Sequence, residues 1–131
     1  MNKYSFFQEV FSTVMDYSLD LLAYIDSEGR YQYVSKSYAE FYGFKKKELI
    51  GHLPEEVFDT ETYQQVILPN LNKCKTTASP VNYQAWIIPK NVHTPCYLYT
   101  SYLPHIDKSN NVAGVIVIAK DVTEFKRAEG L

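Results

Sequence analysis

The stretch GVIVIAKDVTEFKRAE, residues 114–129, decides how the rest of the chain is read. Its segment 115–119 is apolar at every position, and four of those five residues are β-branched. Branched side chains are stiff at χ1 and pack well on a pleated surface, so the run reads as a strand. It does not alternate apolar with polar residues. That pattern places it in the middle of a sheet and predicts that both its faces are dry. The pattern breaks at Asp121. Asp121-Val122-Thr123 leads into Glu124-Phe125-Lys126-Arg127-Ala128-Glu129, a run of good helix formers. Thr123 is expected to N-cap this helix, and Glu124 suits its first turn. A central strand therefore passes directly into a helix that leaves the domain.

Upstream, the chain divides at its turn residues. Residues 105–111 form the turn into the last strand, and residues 96–103 read as a strand stopped by Pro104. Residues 81–88 are another strand, turned by Pro89-Lys90-Asn91. Residues 60–75 form a helix with Thr60 as its cap and Tyr63, Val66, Ile67 and Leu71 on one face. Pro69 lies inside that helix and should kink or split it. Pro54-Glu55-Glu56 starts a short helical piece, and residues 45–50 form another turn of helix closed by Gly51. Ser35 caps a helix that ends at Gly43. Residues 21–26 and 30–34 form a hairpin across Ser27-Glu28-Gly29. Residues 3–17 form an amphipathic helix with Phe7, Val10, Phe11 and Val14 in a stripe widened by Phe6 and Met15. Such a helix can cover its own core, meet a second copy, or do both.

Composition narrows the function. The chain has 131 residues, 46% of them hydrophobic, enough for one domain with one core. A net charge of −2 supplies neither the basic footprint of a nucleic-acid binder nor a polybasic membrane patch. No apolar run approaches the ~20 residues of a spanning helix, so direct membrane insertion of this segment is not expected. Cys74 and Cys96 lack metal-ligand spacing, and without a secretory signal a reduced, cytoplasmic setting is expected. The aromatic content is unusual, with 12 Tyr and 7 Phe against 1 Trp. Tyrosine suits a cavity and an interface equally.

Two sets of residues carry a family resemblance. Asp26, Gly29-Arg30, Tyr33-Val34-Ser35, Ala39, Gly43-Phe44 and Glu48-Leu49-Ile50-Gly51 follow one another in register. Asp121-Val122-Thr123-Glu124 then ends the last strand, preceded by the Asp107–Asn111 turn and Gly114. Together they resemble a PAS domain with its closing PAC motif. Many members have Asn where this chain has Ser35, and Ser can make the same cap. With the element order, the resemblance implies an α+β, PAS-like fold. It has a five-stranded antiparallel sheet with helices packed on one face, an N-terminal amphipathic helix, and the start of a C-terminal signalling helix. The implied division is residues 1–18 for the N-terminal helix, 19–123 for the core and 124–131 for the linker helix.

The resemblance also implies a role. Such domains are non-catalytic sensors in bacterial signalling proteins such as histidine kinases or diguanylate cyclases. They are expected to form homodimers through the N-terminal helix and to be covalently linked to an output domain. Haem and flavin are disfavoured. His52, His93 and His105 read as loop or turn residues, off the helix that supplies the axial ligand in haem-binding relatives. Pro54 stands where the resemblance puts the photoreactive Cys of flavin photoreceptors, and Ala119 stands where it puts their flavin-contacting Gln. No cofactor and no metal site is identified, and an unknown small molecule stays open.

No catalytic motif is found: the chain lacks Gly-x-Ser-x-Gly, a phosphate-binding glycine loop and a His-Glu pair at metal spacing. Glu55 and Glu56 are adjacent and read as a solvated first turn. The resemblance turns one face of each strand inward. It gathers Val115, Val117 and Ala119 with Leu98, Thr100 and Tyr102, then Ala23 and Ile25, and Tyr38 and Tyr42 from the first core helix. Tyr83 or Trp86 closes one side; their spacing gives them opposite parity, and which one faces in stays open. These residues either line a ligand pocket or simply fill a core. Asp121 and Thr123 are the expected signal relay, with Asp121 pairing with Lys126 or Arg127 or capping helix N–H groups. Two alternatives remain. One is a ligand-free dimerisation module. The other is a small cone-shaped isomerase-like enzyme, which would need a carboxylate inside the cavity.

Overall fold

The computed structural model describes residues 3–130. Its strands are β1 (Leu21–Asp26), β2 (Tyr31–Val34), β3 (Val81–Ile87), β4 (Cys96–Ile106) and β5 (Val112–Asp121). They form one antiparallel sheet in the order β2-β1-β5-β4-β3. The apolar run 115–119 therefore lies in the central strand, paired with β1 on one side and β4 on the other. The helices are α1 (Lys3–Tyr17), α2 (Lys36–Phe41), α3 (Lys46–Leu49), α4 (Thr60–Thr62), α5 (Leu68–Thr77) and α6 (Thr123–Glu129). A 3₁₀ turn spans Pro54–Glu56, and a π-helical segment, Tyr63–Ile67, joins α4 to α5.

The core lies between the inner sheet face and the helices from α2 to α5. On β5 the inner residues Val115, Val117 and Ala119 are buried, whereas Ile116 on the opposite face is 38% exposed. The expected dryness of both faces is thus corrected to one. Antiparallel sheets commonly leave a face to water, and an apolar outer face does not itself bring a covering layer. α1 lies at the β2 side of the fold. Its Phe11 ring meets Tyr33 with centroids 5.4 Å apart, and its Asp16 accepts from Lys46 Nζ at 2.9 Å. Phe6, Phe7, Val10, Phe11 and Val14 remain exposed along its stripe.

Ser35 behaves as its position demands. Its hydroxyl accepts from Tyr38 N at 3.2 Å and also from Leu22 N at 3.1 Å, tying α2 to β1. The helix after the 3₁₀ turn is capped by Asp59, whose carboxylate accepts from Glu61 N at 3.2 Å, rather than by Thr60. Pro69 has the expected effect in a specific form. The turn before it widens, so that Leu68 N–H reaches back to the carbonyl of Tyr63, and Asn70 Nδ2 satisfies the carbonyl of Val66 at 2.8 Å.

Pro104 does not stop its strand. β4 continues to Ile106, and Pro104 pairs with Val115. β3 has already ended opposite Tyr102, so β4 is an edge from there on and tolerates a residue without an N–H. His105 therefore lies on β4, not in the turn, with Nδ1 2.6 Å from the hydroxyl of Tyr24.

Candidate functional site

The inner face of the sheet and the helices enclose a cavity of about 20 Å³. Among its lining residues are Ile25 from β1, Tyr38 and Tyr42 from the α2 region, Leu98, Thr100 and Tyr102 from β4, and Val117 and Ala119 from β5. Tyr83 joins them from β3. Strand alternation brings Val117, Ala119, Thr100 and Tyr102 together, because Tyr102 faces Val117 and Thr100 faces Ala119 across the ladder. A volume of that size holds about one water.

Hydroxyls converge there. Tyr31 and Tyr38 share a hydrogen bond of 2.6 Å, and Tyr83 and Tyr102 share one of 2.8 Å. Tyr83 lies opposite Thr100 in the β3–β4 ladder. Burial pushes the phenols of Tyr31, Tyr38, Tyr42 and Tyr102 upward, so all four are neutral at ordinary pH. Burial raises Tyr83 too, opposed by the neighbouring hydroxyls of Tyr102 and Thr100. None of the lining residues is charged. The carboxylate that the isomerase alternative requires is not among them.

Ala23 is buried on β1 beside this group but does not line the cavity. Trp86 lies on the other face of β3, 43% exposed, with its ring 5.2 Å from Tyr97. The parity question is thereby answered for Tyr83. Tyr31, Pro54, Phe58, Ile67 and Ile87 also line the cavity, although the sequence does not assign them to it. Tyr31 was hidden by a bulge. β1 pairs Tyr24 with Tyr33 but Ile25 with Tyr31, so Gln32 is the extra residue. The bulge turns Tyr31 inward and Tyr33 outward. Pro54 and Ala119, the two positions tied by resemblance to flavin chemistry, both face the cavity. The lining offers no thiol, carboxamide or imidazole, so these residues do not fit a flavin adduct or an axial haem ligand.

The junction lies two residues beyond Ala119. Asp121 Oδ1 accepts from Thr123 N at 3.0 Å and from the Thr123 hydroxyl, and that hydroxyl in turn accepts from Tyr97 N of β4 at 2.9 Å. Thr123 is thus not the expected N-cap, because its oxygen faces the sheet instead of the helix. The helix starts after Val122 without a side-chain cap, and Asp121 satisfies the N–H of its first residue. Asp121 makes no ion pair with Lys126, which sits 4.9 Å from the centre of the Tyr97 ring and pairs with Glu129. Phe125 is 77% exposed, so α6 does not fold back as core. Among the described residues, no group of acidic, His or Cys side chains could hold a metal ion, and no helix is long and apolar enough to cross a membrane.

Comparison with known proteins agrees with this architecture. The chain is similar to the PAS domain of a protein from Colwellia psychrerythraea, with a TM-score of 0.76, 15% identity, and coverage of 90% of this chain and 98% of that one. It is similar to an RNA-binding light-oxygen-voltage receptor, with a TM-score of 0.79 and 11% identity, and 98% of this chain maps onto 36% of that one. It is also similar to a phage VqmA in complex with DPO, with a TM-score of 0.72 and 16% identity, and 96% of this chain maps onto 57% of that one. The chain therefore spans little more than a third of the receptor and a little over half of VqmA. No curated protein matches by sequence. A family profile described as the PAS fold matches residues 15–127, most of the chain, and the chain belongs to that family.

Proposed function

We propose that this chain is a non-catalytic sensory module of a bacterial signal-transduction protein, of the histidine kinase or diguanylate cyclase type. A small ligand or a partner shifts the population of two arrangements, and α6 carries the shift to a linked output domain. One observation supports this most. Val117 and Ala119 line the cavity, and the same strand continues into Asp121 and Thr123, which hold the start of α6 against Tyr97. A change in the cavity wall acts directly on the strand that sets the helix. Its leverage is limited by the ligand's differential affinity for the two arrangements. The structural neighbours support a sensory reading: one is described as a light-oxygen-voltage receptor, another as bound to DPO. The exposed stripe of α1 supports a homodimer through that helix.

Native mass spectrometry of the purified chain, followed by thermal shifts across a metabolite library, tests the reading. A carried-over compound or a reproducible stabilisation is expected. No mass and no shift favours the second reading, a ligand-free dimerisation module, for which the small cavity volume speaks.

A further inference from the structure

Five tyrosines line the cavity: Tyr31, Tyr38, Tyr42, Tyr83 and Tyr102. Four of them are sealed, with exposures of 0%, 2%, 2% and 3% for Tyr31, Tyr38, Tyr42 and Tyr102. Tyr83 differs. It is only partly buried, and it sits on β3, an edge strand paired with β4 alone. Its ring packs edge-on against Tyr102 at 5.4 Å, and its hydroxyl is held by that of Tyr102. Of the five, it is the one that can leave without breaking the core. The space it vacates is the size of a phenol, far larger than the present cavity of about 20 Å³.

We propose that the cavity takes a small uncharged ring compound bearing a hydrogen-bonding group, which displaces the Tyr83 side chain and takes over its bond to Tyr102. This rests on the small-molecule reading above. The chemistry follows from what the walls offer. Every polar side-chain atom in the lining is a hydroxyl, and each hydroxyl can donate and accept. A ligand with neither capacity would leave the Tyr102 hydroxyl without the partner that Tyr83 gives it. A charged ligand would lose its hydration and find no counter-charge among these residues. The walls beside Tyr83 are aromatic, with Tyr38, Tyr42 and Phe58 stacked in edge or tilted contacts of 4.8 and 5.1 Å. A flat ring continues that stack.

A matched set of probes tests the class: benzamide, benzoate, benzylammonium and toluene have nearly one shape and differ in charge and hydrogen bonding. Calorimetry on the intact chain should show benzamide binding at least about a hundredfold tighter than benzoate or benzylammonium. Tyr83→Ala should tighten benzamide by about tenfold, since the ligand no longer competes with the side chain. Tyr102→Phe, which keeps the ring and the fold, should weaken it by about tenfold. Benzoate or benzylammonium binding as well as benzamide would overturn the class while leaving the small-molecule reading intact. Benzamide binding unchanged in both variants would overturn the location. Absence of binding by all four probes, in both the native chain and a folded Tyr83→Ala, would overturn the proposal, while the small-molecule reading is decided separately by the metabolite library.

Discussion

Asp121 and Thr123 show how a residue's role depends on which way its oxygen points. The sequence placed both at the right junction but assigned Thr123 to the helix, when its hydroxyl serves Tyr97 N of the sheet. The choice depends on where β4 lies, which local sequence does not encode. Thr123→Ala leaves the Tyr97 N–H without that acceptor and should cost about 1–3 kcal/mol in urea unfolding. Asp121→Ala removes an acceptor at the helix start and should cost about 1 kcal/mol. Both variants should stay folded yet lose ligand- or partner-dependent output in the protein that carries this chain. Full output from either would remove the relay. Gly114 makes a sharper stability prediction. A Cβ there would meet the phenol of Tyr24 and stand 2.6 Å from the carbonyl oxygen of Ile25. The neighbour on that side is backbone and cannot rotate away. Gly114→Ala should therefore lower stability by about 1–3 kcal/mol, measured by denaturant midpoint at an unchanged slope.

At the level of elements, the legible parts were those whose pattern is local. β1 was read over its full extent because Leu21–Asp26 ends at a turn signal, and α1 because its stripe repeats at helical spacing. Features that depend on a neighbour were not legible. Pro104 reads as a stop until β3 is seen to have ended before it. Tyr83 and Trp86 cannot be sorted until the register with β4 pairs Tyr83 to Thr100 and Trp86 to Tyr97. The π-helical turn before Pro69 was expected only as a kink or a split, because the bond from Leu68 N–H to the Tyr63 carbonyl spans one residue more than the α-helical spacing read from the pattern. The exposed stripe of α1 is a prediction at this scale. Val10 and Val14 are exposed at 44% and 59%, so a charge at either costs the monomer little. Val10→Asp should leave the thermal midpoint of the dilute chain nearly unchanged. In sedimentation it should shift the mass toward the monomer. A native chain already monomeric at high concentration would instead assign α1 to its own fold.

The whole molecule couples its tyrosines to its stability. Burial holds the phenols of Tyr31, Tyr38, Tyr42 and Tyr102 above the ordinary tyrosine value of 10.0, and Tyr33, beside α1, is pushed up to about 12 by burial and by Asp16. A raised value means that the folded chain holds the phenolic proton more tightly than the unfolded chain does. The stabilisation is complete below pH 10 and is lost as pH rises from the unfolded toward the folded values. Each group held neutral contributes a slope of about 1.4 kcal/mol per pH unit in that window, so four such groups acting together unfold a domain of ordinary stability within a unit or two above pH 10. The cavity tyrosines should therefore ionise in one cooperative step of tyrosinate absorbance that coincides with loss of ellipticity. In Tyr102→Phe that step should move to higher pH, because one proton-linked group is gone while the ring still fills its place. A gradual titration of the cavity tyrosines, with the fold intact throughout, would mean that the cavity is open to water and that its hydroxyl cluster is not sealed.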